Sequence, residues 1–401
     1  MSLFSSKENS PHNVAVFDIG SGNVGVAIVR VGGESDRPVF LFSQRFEIAI
    51  EEEVNFEKFA ISMASALELA AKAVRDAKVS GISEVFCFLG SPWYASQTRT
   101  ISFTKNNPFN VTESLIKNLV DKEIDLFKKG DLPKYASYEK MSILENYTID
   151  CILNGYRVPN PFQKNVSSVN LSIFLSMSPS IILDQMKKII ERHVSFAHRK
   201  LFFASTVFSE YLLISNLFVK NDSYLLIDVD GEITDISVVK NNVLEETMSF
   251  PVGRNALVRD ITTCKHNTQA EATTLIRGYI SGHLELTVHE EIEECLSRVR
   301  TTWLDSFQDS LTRLAGHLAL PRTVFLVTES DIAPWFTDTI KREEFSQYML
   351  TDRRFSVIPL SAPSINEYCD FASNVVDREY DLMIHALYIS RVIHHIKTNN
   401  N

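Results

Sequence analysis

A mixed α/β (α+β) fold, built as two related halves facing one cleft, is predicted by three features of this chain. Residues 14–29 (VAVFDIGSGNVGVAIV) run as apolar strand, Asp-Ile-Gly turn, apolar strand. Residues 224–239 (YLLIDVDGEITDISVV) repeat that form around an acidic turn, far along the chain. Between the two lies a strand–helix–strand–strand–helix pattern, long enough to be a compact unit of its own.

Composition sets the limits. With 401 residues the chain can build two or more domains with real cores. A hydrophobic content of 45% and a charged content of 22% are ordinary for a globular protein. The net charge of -10 and the lack of a Lys/Arg run argue against nucleic acid as a partner. Five cysteines (Cys87, Cys151, Cys264, Cys295, Cys369) are odd in number and widely spaced, with no CxxC pair. They read as buried free thiols in a reducing cytosol, not as a disulfide framework or a zinc site. The first residues lack the apolar core of a signal peptide, and no run is apolar enough to span a bilayer. A cytoplasmic protein is expected.

The elements follow in order. Residues 1–12 are polar and read as a disordered tail. Val14–Asp18, Val24–Arg30 and Val39–Phe46 read as a meander of strands bounded by turn residues. Residues 55–78 carry apolar residues at helical spacing, and Glu84–Leu89 is a buried strand ended by Gly90-Ser91-Pro92. After Trp93 come a strand at Thr98–Phe103 and a helix with Thr112 as its N-cap, broken at Gly130–Pro133. Two strands, Ile143–Leu153 and Val166–Met177, flank Asn154–Pro161, and a helix covers 180–194. A helix at Ser205–Leu217 leads into the second hairpin, whose third strand ends near Pro251 and Gly253. Helices at Asn255–Thr263 and 268–281, a short strand at His283–Val288, and a long helix at 289–317 come next. Strands at Thr323–Thr328 and Phe355–Leu360 flank a further helix. Residues 376–397 form a last amphipathic helix. His385, His394 and His395 on it read as surface or helix-end histidines, not as metal ligands. Trp93, Trp303 and Trp335 read as core or rim aromatics.

Five pieces in this order carry a resemblance: VFDIGSGNVGVAIV, CILNGYRVPNPFQK, YLLIDVDGEITDISVVKNNVLEETMSFPVG, RNALVRDITTCKHNTQAEATTLIRGY and TVFLVTESDIAPWF. Together they resemble the actin-like (ribonuclease H-like) ATPase superfamily, and within it the FtsA-type cell-division proteins and their PilM-type pilus relatives. The likeness covers roughly Val14 to Lys397. It implies duplicated domains with an FtsA-type inserted subdomain, divided as follows. Residues 13–92 are the first half with the first phosphate loop, 93–196 the insertion, and 197–222 a return helix. Residues 223–263 are the second half with the second phosphate loop, 264–320 a small lobe, 321–375 the adenosine-loop region, and 376–401 a helix returning to the first half.

The resemblance also implies a site. Backbone N–H groups in tight turns grip phosphates, and glycine permits close approach. Asp18, Gly20, Ser21 and Gly22 match the first loop; Asp228, Gly231, Thr234 and Asp235 match the second. Asp18 and Asp228 would hold Mg²⁺ through water. Ala270-Glu271 matches the motif whose glutamate accepts from the ribose hydroxyls. Four departures follow. Asp230 and Glu232 stand where the second loop has glycines. Glu329-Ser330-Asp331 replaces the three glycines of the adenosine loop. Thr274 replaces a lysine, with Arg277 the nearest cation. No Gln or Glu begins the helix at 205 to orient a water; Ser205 and Thr206 stand there, and Glu210 is poorly placed. Four added carboxylates repel a triphosphate, so the expectation is a pocket that binds Mg-ATP weakly or not at all.

By resemblance, the leading expectation is a division scaffold that binds the tail peptide of an FtsZ-like partner and self-associates. The alternative is a pilus-assembly adaptor that binds a peptide of an inner-membrane pilus protein; a working ATPase is the third reading. With the last helix packed on the body, any membrane association needs a partner.

Overall fold

The apolar runs of both hairpins form strands buried on both faces, and each run seeds a sheet. The computed structural model describes residues 10–33, 37–52, 55–129, 140–195, 200–316, 319–349 and 354–393. The first half opens with β1 (His12–Ile19), β2 (Asn23–Val31) and β3 (Val39–Glu47), then α1 (Phe56–Asp76) and β4 (Ile82–Leu89). The inserted unit contributes β5 (Ala95–Asn110), α2 (Glu113–Lys129), β6 (Met141–Leu153), β7 (Tyr156–Arg157) and β8 (Asn165–Pro179). The chain returns through α3 (Ser180–His193), β9 (Leu201–Ser205) and α4 (Thr206–Leu217). The second half has β10 (Tyr224–Val229), β11 (Thr234–Lys240), β12 (Val243–Phe250), α5 (Asn255–Lys265), α6 (Gln269–Ile280) and α7 (Leu286–Ala315). It continues with β13 (Thr323–Val327), α8 (Ala333–Arg342), β14 (Ser356–Leu360) and α9 (Ala362–Ile365). Last come β15 (Asp370–Phe371) and α10 (Tyr380–Tyr388).

The duplication is visible in the strand order. The first sheet runs β15-β3-β2-β1-β4-β9, and the second runs β12-β11-β10-β13-β14. Without the edge strand β15, both read third, second, first, fourth, fifth. In both, the first three strands are antiparallel and the last two join in parallel. Asp18 lies across from Gly25, and Asp228 lies across from Asp235. The two aspartates therefore end equivalent strands, each at the mouth of its hairpin.

The helices form where the sequence favours them. Asn55 caps α1 by accepting from the N–H groups of Glu57 and Lys58, at 3.0 and 3.2 Å. The Ala-rich face of α1 buries Phe59, Met63, Leu67 and Ala70. Against it packs α3, through Ile182, Met186 and Ile190. The sequence reading put that helix in the inserted block. Its apolar face instead joins the core of the first half, and the four-stranded sheet β5-β8-β6-β7 with α2 makes up the insertion. Thr112 caps α2 as expected, accepting from the N–H of Leu115 at 3.2 Å.

Several expectations change. Residues 283–285 are not a strand, and Leu286 already opens the long helix α7. The short strands β7, β9 and β15 carry no alternation that the sequence could display. The strand expected at Thr98–Phe103 extends over all of β5, because β8 pairs along most of it. The final helix starts later than expected, at Tyr380, with α10 followed by a π-turn through Ile393, the last described residue, and it is not amphipathic: Leu382 to Tyr388 are all buried. It lies against α4 and β1, so it has no solvent face along that stretch. His385 is fully buried rather than at the surface. His394, His395, the tail residues 1–9 and the helix break at Gly130–Pro133 lie outside the described residues. Trp93, Trp303 and Trp335 are core residues. No helix among the described residues is long and apolar enough to cross a membrane.

The expectation of five free thiols is also corrected. Cys264 and Cys295 form a disulfide joining the end of α5 to α7, while Cys87, Cys151 and Cys369 are free and buried. Sequence spacing hid the pair because the turn to α6 brings α5 back onto α7. The bridge closes a loop with a sequence separation of 31. A Cys264→Ser/Cys295→Ser variant is expected to lose about 3 kcal/mol in a urea unfolding titration under non-reducing conditions.

Candidate functional site

The two hairpins meet at the cleft, and the second hairpin reaches into the first. The carboxylate of Asp230 sits on the turn after β1. It accepts from the N–H of Ser21 and from the N–H of Gly22 at 3.2 Å, and also from its own neighbour Gly231 at 2.7 Å. These N–H groups form the anion-binding nest that the sequence assigned to a phosphate. A Cβ on Gly20 would strike Asp230, and one on Gly231 would strike the Gly22 backbone, so glycine is needed at both for the hairpins to touch. Ser21 closes the contact: its Oγ accepts from the N–H of Glu232 at 2.9 Å.

The other three added acids are paired as well. Glu232 turns from the cleft and accepts two bonds from the Arg259 guanidinium, at 2.8 and 2.7 Å, and one from Asn255 Nδ2 at 2.8 Å. Glu329 lies 3.0 Å from Arg254 and 3.8 Å from Arg45. Asp331 pairs with Arg277 at 2.5 Å. Of the four acids expected in the pocket, Asp230 and Glu329 line the cleft and Glu232 turns away from it, and each of the four has a partner of opposite charge or a set of N–H donors within the chain. Glu232→Ala leaves the mostly buried Arg259 unpaired and is expected to cost about 2–3 kcal/mol in thermal or chemical unfolding.

Two arginines span the cleft. Arg45, on β3 of the first half, reaches Asp381 at 3.0 Å and Glu379 at 3.1 Å as well as Glu329. Arg254, at the start of α5, reaches Glu47 of β3 at 3.4 Å. Burial opposes the charge on Arg45, but Asp381, Glu379, Asp18 and Glu329 outweigh it and raise its pKa further. Asp381, half-buried beside Asp18, is pushed up to about 6 by desolvation and by Asp18, even with Arg45 bonded to it.

The expected metal-holding pair is altered in the same way. Asp18 is bonded to His385 Nε2 at 3.2 Å, and that ring in turn contacts Ser209 and stacks on Phe88. Asp228 is pushed well above the usual carboxylate range by burial and by Glu210 and Asp230. Glu210 is raised likewise, by burial and by the surrounding aspartates. Two acids held toward their neutral forms supply little negative charge. Among the described residues, no group of three or more His, Cys, Asp or Glu is arranged to hold a metal ion.

The remaining site residues have structural partners. Thr234 donates to the carbonyl of Val252 at 2.7 Å and accepts from Trp303 Nε1 at 3.0 Å. Asp235 accepts from Ser91 at 2.9 Å and from Ser249, and burial pushes it up to about 6. Glu271 is exposed and closes a capping box with Thr268 at the start of α6.

What space is left follows from these contacts. The cavity bounded by Asp18, Thr206, Asp228, Asp230, Arg254 and Glu329 measures about 40 Å³. That is room for waters, against roughly 300–1,000 Å³ for a small-molecule site, but a cavity of about 450 Å³ adjoins it through Arg45, Thr328, Glu329 and Asp381 and is lined further by Ser330, Ser361 and Tyr380. A groove of about 540 Å³ opens elsewhere, where the inserted unit meets both halves. Its walls are Trp93, Tyr94 and Ala95–Thr98 on one side, Phe127 and Met141 on the insertion, and Glu245–Ser249 of β12 on the other.

No family model and no curated protein matches the chain. Solved structures do. The PilM-PilN type IV pilus biogenesis complex aligns over 96% of this chain and 98% of that chain, at 12% identity and a TM-score of 0.59. That likeness shows the actin-like fold. Ethanolamine utilization protein EutJ from Carboxydothermus hydrogenoformans aligns over 95% of this chain and 90% of that chain, at 9% identity and a TM-score of 0.46. A Bacteroides thetaiotaomicron protein with an actin-like ATPase fold aligns over 94% and 95%, at 10% identity and a TM-score of 0.39.

Within this actin-like fold, the sequence located both hairpins and their aspartates correctly. It missed Arg45, Arg254 and His385. Each lies far along the chain from its partners, and although Arg254 opens one of the resembling pieces, nothing in that piece marks it as an ion-pair partner. Only the surplus of acids at the two loops hinted that cations had to be nearby.

Proposed function

We propose that this chain is an actin-fold adaptor that binds a peptide segment of a partner protein and whose cleft is held closed by its own side chains instead of Mg-ATP. The observation that carries this reading is Asp230 seated on the N–H groups of Ser21 and Gly22. A phosphate would have to displace that carboxylate and break the ion pairs of Arg45 and Arg254. Mg²⁺ does not fit either, because Asp18 is engaged by His385 and burial favours the neutral form of Asp228. The chain is therefore read as a pseudo-ATPase with no cofactor, and no catalytic step is assigned to it.

The groove suits an extended segment. It offers apolar lining from Trp93, Tyr94, Phe127 and Met141, and acids from Glu245 and Glu246 along one rim. A peptide with apolar anchors and at least one basic residue complements it. Of the two adaptor readings, pilus assembly draws support from the end-to-end likeness to the PilM-PilN complex. A division scaffold, held at the membrane by its partner and self-associating, is the second reading; the Asn154–Pro161 loop favours it. Its other support is weakened, since Glu271 serves as a helix cap.

Immobilised protein probed with a pilus-type N-terminal peptide and with an FtsZ tail peptide tests this. Retention of the first at micromolar concentration, weakened severalfold by Glu246→Lys, is expected. Retention of only the second would move the assignment to division, and retention of neither would end both adaptor readings.

A further inference from the structure

One buried acid has no part in the cleft. Glu145 sits on β6, where a bulge between Ile143 and Glu145 shifts the register with β8 and aims its side chain inward. It is 5% exposed. Its Oε2 takes three donors: Ser176 Oγ at 2.7 Å, Ser205 N at 3.1 Å and Ser205 Oγ at 2.5 Å. Ser176 belongs to the inserted unit; Ser205 ends β9 and starts α4 in the first half. The single carboxyl therefore fastens the insertion to the body. Its Oε1 has no hydrogen-bond partner.

The groups facing it are all uncharged acids or hydroxyls. Tyr94 comes from the link before β5, Tyr147 from β6 itself and Tyr388 from α10; burial and Glu145 raise all three phenols. Among the described residues, no cation pairs with Glu145. Beside it, Tyr147 and Phe174 of the insertion stack on Phe208 of α4 at 4.7 and 4.6 Å, completing the seam.

We infer that Glu145 is a proton-operated latch: uncharged, it seats the inserted unit on the first half, and ionised, it loosens that seam. A charged carboxylate with one bare oxygen and no counter-ion is costly to keep dry, and opening the seam hydrates it. Burial, partly offset by the serine donors, pushes the carboxyl up to about 7. In the open seam it returns to the usual carboxylate range. A group raised in the closed state favours closure at low pH, and that preference fades as pH rises toward the raised value. The released proton goes to solvent. The latch concerns the seating of the insertion and stands whether or not the groove binds a pilus or a division peptide.

Amide hydrogen exchange of the full chain at pH 6 and pH 8, corrected for the intrinsic pH dependence of exchange, reads the seam directly. Opening of β6 and of the Ser205 amide is expected to rise about tenfold between the two pH values, from the interval between the raised and ordinary pKa. Glu145→Gln removes that rise. Ser176→Ala, which takes away one donor to the carboxylate, keeps the rise and moves its midpoint to higher pH. A wild-type seam with the same opening at both pH values overturns the latch. So does a rise that persists in Glu145→Gln, or a midpoint that Ser176→Ala leaves unmoved.

Discussion

Asp230→Gly is expected to cost about 2–4 kcal/mol in a denaturant titration and to create an anion site where the wild type has none. The cost comes from the hydrogen bonds to Ser21 and Gly22, each a charged acceptor on a backbone donor and each tying one half to the other. With the carboxylate gone, those N–H groups point into a vacated nest still framed by Gly20, Gly22 and Gly231. Millimolar phosphate or pyrophosphate is then expected to restore part of the lost stability by mass action, with a rise in Tm that the wild type lacks. A variant that loses stability but shows no anion-dependent rise would mean the nest collapses, and that the adenosine loop is the true obstacle. Glu232→Gly is expected to give no such gain. That residue points away from the cleft at Arg259, so its removal frees no N–H of the nest.

The second large effect concerns Arg45. Its removal, as Arg45→Met, takes the shared cation from Glu379 and Asp381, leaves Glu329 to Arg254 alone, and is expected to cost about 3–5 kcal/mol at pH 8. The sign of its pH dependence follows from the acids. Asp381 is already raised to about 6 by burial and Asp18, with Arg45 pulling it down. Glu329 is raised by burial, with Arg254 and Arg45 pulling it down. Without Arg45 both take up protons at higher pH. An acid whose folded-state value lies above its unfolded value favours the folded state as pH falls. The deficit of Arg45→Met is therefore expected to shrink by about half or more between pH 8 and pH 5, as followed by chemical unfolding at each pH. A deficit that stays constant over that range would place the loss in packing, not charge.

How much of this was readable in the sequence depends on the range of each signal. The hairpins at Asp18 and Asp228 were legible because apolar runs and turn residues are local, and their repetition announced the duplicated sheet order. The insertion was legible by its pattern, but α3 was misplaced: its Ile182, Met186 and Ile190 stripe says that it packs, not on what. The last helix misled in the other direction. Its pattern suggested an amphipathic helix, packed on the body and carrying surface histidines, yet Asp381 is drawn in by Arg45, and His385 by Asp18 and Ser209. The cleft chemistry was half legible. Acids in place of glycines were plain at Asp230, Glu232, Glu329 and Asp331. Their partners were not, since an ion pair between Arg45 and Glu329 leaves no trace in periodicity or spacing. Cys264 and Cys295 illustrate the same limit.

The central claim is that a side chain of this protein fills the place of the nucleotide. Calorimetric titration of the wild-type chain with Mg-ATP, alongside a thermal melt with and without millimolar Mg-ATP, tests it most directly. No binding heat up to millimolar concentration and an unchanged Tm are expected. A micromolar Kd with a raised Tm would contradict it, because Mg-ATP could bind that tightly only by displacing Asp230 from Ser21 and Gly22.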